Sequence, residues 1–331
     1  MPVWLLLAAL AAGCASAPQS TRIQHDVPAD LPPRVELTAT PFFPQQEYQC
    51  GPAALATVLT AEDIEVLPDD LVAEVYVPER RGSLQAEMRA AARARGLVAY
   101  RLRPELDDLL AEIAAGRPVV VFQNLGLGFA PRWHYAVVIG YDLEAGQIVL
   151  RSGTIERHVN ALPRFERTWA RGDHWAFVAV PPDRLPASAE PLRWLSAVNE
   201  LEQTGMLEPA RTGYETAIRH WPGQPIGYIG LANTQFAAGD FPGAEDALHA
   251  LLETQPGRHE VWNNLAHVLV ARQCGPLARQ AAACASRLAP QSETYQRTVR
   301  TAAGAAASGT ACRPLPSCPA ETEAAPGDVR P

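Results

Sequence analysis

Apolar and polar positions follow two different periods along the chain. AALATVLTAE, directly after Cys50, has helical spacing and good helix formers. SLQAEMRAAARARG, residues 83 to 96, predicts a second helix with Ser83 as its N-cap and Gly96 as its stop. Residues 97 to 102 predict a short strand, and ELDDLLAEIAAG, residues 105 to 116, a third helix stopped by Gly116. Four apolar runs follow: PVVVFQNL (118 to 125), HYAVVIGYD (134 to 142), QIVLRSG (147 to 153) and HWAFVAV (174 to 180). Three of them are bounded by Gly, Asp or Pro, as strands of an antiparallel sheet would be. Helices first and a sheet afterwards is the α+β pattern. From residue 188 to about 303 the pattern is helical throughout.

That helical stretch repeats itself. Ala210, Ala244 and Ala278 are 34 residues apart, and so are Pro222, Pro256 and Pro290. Trp194, Tyr228 and Trp262 keep the step, as do Ala197, Leu231 and Leu265, and Gly205 with Gly239. Five columns at one period argue against an ordinary helical bundle with accidental spacing. A period of 34 held by these residue types resembles the tetratricopeptide repeat. An aromatic and a leucine would face the partner helix, glycine would end the first helix, alanine would allow close crossing, and proline would close each unit. About three helix pairs are expected, near the minimum for a stable stack, and such stacks bind peptides or proteins on a concave face. This half is expected to be an interaction module, not a chemical one.

The N-terminal MPVWLLLAALAAGCASAPQ is an apolar run ending in small residues, too short for the roughly 20 residues a membrane-spanning helix takes, and it reads as a secretory signal. Leu10-Ala11-Ala12-Gly13-Cys14 resembles a bacterial lipobox, which implies lipidation of Cys14 as the mature N-terminus. Ala11 stands where leucine is commoner, and no Lys or Arg precedes the run. The alternative is a plain signal peptide cleaved after Ala17. Ala15, rather than Asp, after Cys14 implies an outer-membrane lipoprotein facing the periplasm of a Gram-negative-type envelope, held to the membrane by its lipid alone. The expected organisation is a signal peptide (1–13), a Pro/Ser/Ala/Asp-rich tether (14–36), an α+β domain (37–182), helical repeats (188–303) and a low-complexity, disordered tail (304–331).

Composition narrows the partners. With 331 residues, 47% hydrophobic and 19% charged, the chain is globular and long enough for two domains. A net charge of −8 and the lack of a dense Lys/Arg cluster argue against nucleic acid; the pair Arg80-Arg81 reads as solvated surface. Six cysteines are present. Cys274 and Cys284 could bridge only if the chain turns at Gly275-Pro276, because ten residues along a helix separate Cα atoms by about 15 Å; Cys312 and Cys318 could pair easily in the tail. No CxxC or Cys/His spacing supports zinc, so neither metal nor cofactor is expected.

QQEYQCGPAAL, residues 45 to 55, carries the candidate chemistry. A thiol at a helix N-terminus has its pKa lowered by the free N–H groups and the dipole, which makes it nucleophilic. Pro52 suits the first helical position and Gly51 would keep the approach to the sulfur open. An upstream glutamine could share an oxyanion site with the Cys50 N–H. The base must be a histidine. Of eight, His25 lies in the tether and His220, His249, His259 and His267 in the repeats. His134 opens the strand HYAVVIGYD and can face a cleft; His174 opens a similar strand and is the runner-up; His158 follows a charged stretch and reads as surface.

QQEYQCGPAAL followed by HYAVVIGYD, with GSLQAEMRAAARARGLVAY between them, resembles the papain-like cysteine peptidases of the bacteriocin-processing, double-glycine-leader family in a stand-alone exported form, over residues 38 to 182. The resemblance implies an α+β papain-like peptidase domain followed by an all-α tetratricopeptide-repeat domain. It implies Cys50 as nucleophile, His134 as general base, and Gln45, with Gln46 as alternative, as oxyanion donor. The family has its glutamine six residues before the cysteine, where this chain has Pro44. It has an Asp on the strand after the histidine strand, where IVLRSG carries no acid; Ser152 stands at that place, and Asn124 is a second candidate for orienting His134. Asp142 lies about 26 Å away along an extended strand and cannot serve. An exported cysteine peptidase acting on peptide bonds is expected, with a protein partner on the repeats. An inactive peptidase-like scaffold and an acyltransferase working on amines are the alternatives. The double-glycine leader is a poor inference for the substrate, because the chain carries no transporter segments.

Overall fold

The structure is a computed structural model that describes residues 17–45, 49–80, 82–308 and 312–320. It divides into two compact units, residues 1–193 and 194–331.

The first unit is built around a helix and a sheet. Helix α1 (Pro18–His25) and strand β1 (Arg34–Glu36) precede helix α2 (Cys50–Thr60), which is apolar all round and buried from Gly51 to Leu59. Helix α3 (Pro68–Val75), a short ribbon of β2 (Tyr76–Val77) and β3 (Gly82–Ser83), and helix α4 (Gln85–Arg93) pack around α2. Strand β4 (Val98–Arg101) and helix α5 (Leu106–Ala114) lead into β5 (Val119–Asn124), β6 (Trp133–Asp142), β7 (Gln147–Ser152) and β8 (Ile155–Ala161); helix α6 (Leu162–Ala170) and β9 (Ala176–Val180) complete the unit. The strands form one antiparallel sheet in the order β4-β9-β5-β6-β7-β8, and β1 pairs with the far end of β6. Tyr135, Val137 and Ile139 of β6 join Leu55, Val58 and Leu59 of α2 in the core, so the helix that starts at Cys50 lies against the strand that starts beside His134.

The second unit is all helical. Helices α7 (Pro191–Gln203), α9 (Pro225–Ala237), α11 (His259–Ala271) and α13 (Glu293–Ala303) begin 34 residues apart, and so do α8 (Leu207–His220), α10 (Phe241–Thr254) and α12 (Gly275–Leu288). The columns have structural causes. Ala210, Ala244 and Ala278 are fully buried, and a Cβ on Gly230 would stand 2.3 Å from the Tyr214 ring, so small residues set the helix spacing. Gly205 and Gly239 end their helices at positive φ; Gln273 holds the same left-handed position in the third copy (φ 59°).

Several expectations are corrected. Residues 18 to 36 are folded, not a free tether: Glu166 accepts hydrogen bonds from Gln19 N (3.0 Å), Ser20 N (2.7 Å) and Ser20 Oγ (2.6 Å) at the start of α1, and Ile23 is fully buried. The described tail, expected to be disordered, is strapped to α12 by Cys274–Cys312 and Cys284–Cys318, and Gly275 N donates to Ala306 O. The pairing differs from both sequence options because α12 begins at Gly275, directly after its N-cap residue Cys274, and the helix itself then keeps Cys274 and Cys284 apart. Ser83 does not cap its helix; Leu84 is the N-cap residue and Ser83 lies on β3. His174 is not on a strand but in a turn at φ 48° before β9. Helices α3 and α6 and strand β8 were not anticipated. Cys14 and the signal segment lie outside the described residues.

Candidate active site

Cys50 is the first residue of α2, after Gln49. Pro52 is therefore third, not first, but still inside the turn whose N–H groups lack intrahelical partners. Gly51 has a packing cause instead of an access cause: a Cβ there would fall 2.1 Å from Ser83 Oγ, so only glycine lets β3 lie this close to the start of α2. The thiol is free and half-buried. Burial pushes its pKa up; the backbone N–H groups of Tyr135, Gly51 and Cys50 pull the other way but do not win. The expected lowering by the helix terminus is thus present and outweighed by desolvation.

His134 is the second residue of β6, half-buried. Val137 pairs with Arg151, which makes Ser152, at the end of β7, a diagonal neighbour of His134 on the same face. The imidazole Nε2 lies 2.9 Å from Ser152 Oγ, each able to donate depending on the tautomer. Burial, with smaller contributions from the charges of His158 and Arg132, lowers the His134 pKa to about 4. Burial thus favours the thiol form of Cys50 and the neutral form of His134.

Gln45 reaches the same place from the chain before α2. Its backbone N–H donates to Gly153 O (3.1 Å), just past β7, and its Nε2 donates to Tyr135 O (3.4 Å). Gln46 lies outside the described residues. Gln45, Cys50, His134 and the Tyr135 backbone line one cavity of about 870 Å³. Ser83, Leu84, Phe122 and Trp133 also line it, and the Phe122 and Trp133 rings stack at 5.0 Å and 9°. Ser83 Oγ is buried without a hydrogen-bond partner among the described residues.

The other candidates are used elsewhere. Asn124 Oδ1 accepts from Gly126 N and Arg132 N (both 2.9 Å), closing the loop between β5 and β6, and does not orient His134. His174 packs edge-on against Trp169. His158, expected as surface, is half-buried on β8, close enough for its charge to act on His134. The roles of Ser83, Tyr135 and Trp133 were missed. Trp133 and Tyr135 flank the histidine in the sequence, and that adjacency was the available signal.

Residues 37–172, a stretch that spans Gln45, Cys50, His134 and Ser152, match the model of a family described as Peptidase_C39 like. A search of the curated proteins finds no match. Among solved structures the chain is similar to a Bacillus anthracis protein described as C39-like peptidase (18% identity, TM-score 0.38, 44% of this chain and 97% of that one). It is also similar to a double glycine motif protease from an AMS/PCAT transporter in complex with its leader peptide (20% identity, TM-score 0.33, 42% and 89%). A third is the first TPR of Spaghetti (RPAP3) bound to an HSP90 peptide (16% identity, TM-score 0.33, 34% and 89%).

Proposed function

We propose that the first unit is a cysteine peptidase that hydrolyses peptide bonds through Cys50 and His134. The observation that carries this is the cavity lined by the free Cys50 thiol, His134 and Gln45, with His134 Nε2 held 2.9 Å from Ser152 Oγ. In the reacting state Nε2–H donates to Ser152 Oγ, which leaves the Nδ1 lone pair for the Cys50 proton. The sulfur attacks the carbonyl carbon as His134 takes that proton, and the imidazolium then gives it to the leaving amine. The Cys50 N–H and the second Nε2 hydrogen of Gln45 stabilise the oxyanion. Water, deprotonated by His134, releases the acyl group. Because burial favours the neutral forms, proton transfer accompanies attack instead of preceding it.

The 34-residue helical hairpins are proposed as tetratricopeptide repeats that hold a protein partner or substrate. Two disulfides fit an oxidising compartment, which agrees with export and a lipid anchor at Cys14. The second reading is a peptide-binding scaffold without turnover. It is favoured by one observation, that a serine stands where an acid would hold the imidazolium. Hydrolysis of quenched peptide pools separates the two. Cys50→Ala is expected to abolish cleavage, and His134→Ala to lower kcat/KM by about 10²–10⁴. Cleavage that survives Cys50→Ala, or a wild type that binds peptides and cleaves none, sinks the hydrolase.

A further inference from the structure

We propose that the cleft selects peptides carrying a carboxylate near the reacting bond, received by Arg80 on one wall and Arg132 on the other. This rests on the hydrolytic reading above for its biological meaning, but not for its test.

The lining of the cavity contains both arginines and, among the described residues, no Asp or Glu. Both side chains are exposed, and neither has a hydrogen-bond or ion-pair partner among the described residues. Other arginines of the first unit are matched, Arg95 with Glu74, Arg103 with Asp108, Arg117 with Glu112, Arg157 with Glu36 and Arg184 with Glu62, and Arg101, Arg164 and Arg167, without an acid among the described residues, do not line the cavity. The unmatched pair also runs against a chain of 36 acids and 28 bases. Two unmatched guanidinium groups in a concave site of an acidic protein focus positive potential there. A guanidinium fork matches a carboxylate bidentately.

The two arginines are carried differently. Arg80 belongs to the connection between β2 and β3, on the α2 side of the cleft. Arg132 is fixed at its backbone: its N–H donates to Asn124 Oδ1 and its carbonyl accepts from Leu125 N (2.9 Å), while Arg171 holds the Asn124 carbonyl (2.8 Å). Its side chain then stands two residues before the base. The positive charge of Arg132 disfavours protonated His134. A substrate carboxylate on Arg132 offsets that contribution, the smallest of the three, while burial remains the main cause of the lowered His134 pKa. Arg80, read from the sequence as half of a solvated pair, thereby acquires a task; Arg81 lies outside the described residues.

The test uses the full chain with Cys50→Ala, so that binding is read without turnover. Short peptide pools carry a neutral dye and an amidated C-terminus, and differ only in Glu or Gln at one position among neutral residues. A third pool has Gln and a free C-terminal acid, which distinguishes a side-chain carboxylate from a terminal one. Fluorescence anisotropy at low ionic strength is expected to give the Glu pool, the free-acid pool or both about tenfold tighter binding than the amidated Gln pool. Arg132→Gln is expected to cut the gap to about threefold, Arg132→Lys to restore part of it, and Arg80→Gln with Arg132→Gln to close it. Equal affinities for all three pools, or a gap that ignores both substitutions, overturns the proposal. Wild-type cleavage of the same pools keeps the failures apart. Cleavage without preference sinks only the carboxylate site, whereas carboxylate-dependent binding without cleavage sinks only the hydrolase.

Discussion

The two units treat cysteine in opposite ways. Cys50 stays a free thiol at the mouth of a buried helix, surrounded by three backbone N–H groups and apolar side chains. Cys274 and Cys284 lie at the start and within the last turns of α12, and each meets a tail cysteine with Cα atoms 6.0 and 5.8 Å apart. A thiol that lines an open cavity together with a histidine is available for chemistry, and a thiol beside another thiol becomes a staple. The sheet unit can leave Cys50 unpaired because its core is large and closed by α2. In the helical unit the tail after α13 returns along α12 and α10, where the two bridges and Arg313 hold it.

The largest expected effect concerns the staples. The bridges close segments with sequence separations of 38 and 34, for which loop-closure entropy alone gives about 4 kcal/mol each. Replacing Cys312 and Cys318 by serine is expected to lower the urea midpoint of the helical unit markedly, while the alkylation rate of Cys50 stays as in the wild type. Peptide mapping without reductant should return the pairs 274–312 and 284–318. An unmoved unfolding transition would remove the distinction between the two kinds of cysteine, because the staples would then carry no load.

Much of this comparison was legible before folding. The 34-residue step survives in the structure where a column has a cause, as in the buried Ala210, Ala244 and Ala278 and the left-handed turn at Gly205, Gly239 and Gln273. The strands around His134 were readable because their apolar runs are long and bounded. Disulfide pairing was not, since it depends on α12 starting at Gly275, directly after Cys274, and a Gly-Pro pair is compatible with a helix start or with a turn. Helix α1 was hidden in a polar, proline-bearing segment. Its stability comes from Glu166, 146 residues away from Ser20, and no local pattern announces such a partner. Gln45, Cys50, His134 and Ser152 could be proposed as site residues from the sequence, yet their electrostatics could not. The helix terminus suggested an acidic thiol, and burial reverses the sign.

Placing charge at the third position would sharpen the contrast between a neutral pair and an ion pair. Ser152→Asp puts a carboxylate where a hydroxyl now meets Nε2. It is expected to raise the His134 pKa well above about 4, and so to stabilise imidazolium and the thiolate beside it. Iodoacetamide labelling of Cys50 at neutral pH should then quicken by about tenfold over wild type. A rate unchanged by the acid would mean that Ser152 does not orient the imidazole. Ser152→Ala should slow hydrolysis by less than about tenfold, since a neutral orienter fixes geometry but supplies no charge.

The smallest expected effect is a flat line. The proposed mechanism starts from neutral His134 and protonated Cys50. His134 gains its proton only as pH falls towards about 4, because burial disfavours the cation, and Cys50 loses its proton only above the ordinary thiol range. Between about pH 5 and 8 neither group changes state, so kcat/KM for the amidated Gln peptides, which carry no titrating carboxylate, should vary by less than about twofold. An imidazole at the unperturbed value near 6.5 would instead lose about thirtyfold over that span as it became protonated. The sign separates the cases. A steep fall below pH 7 would mean that water reaches the imidazole in solution and relieves its desolvation, and the site would then be as open as an ordinary surface histidine. A plateau that ends near pH 4, and a new pH dependence appearing only in Ser152→Asp, would tie the neutral pair to burial and to the missing acid together.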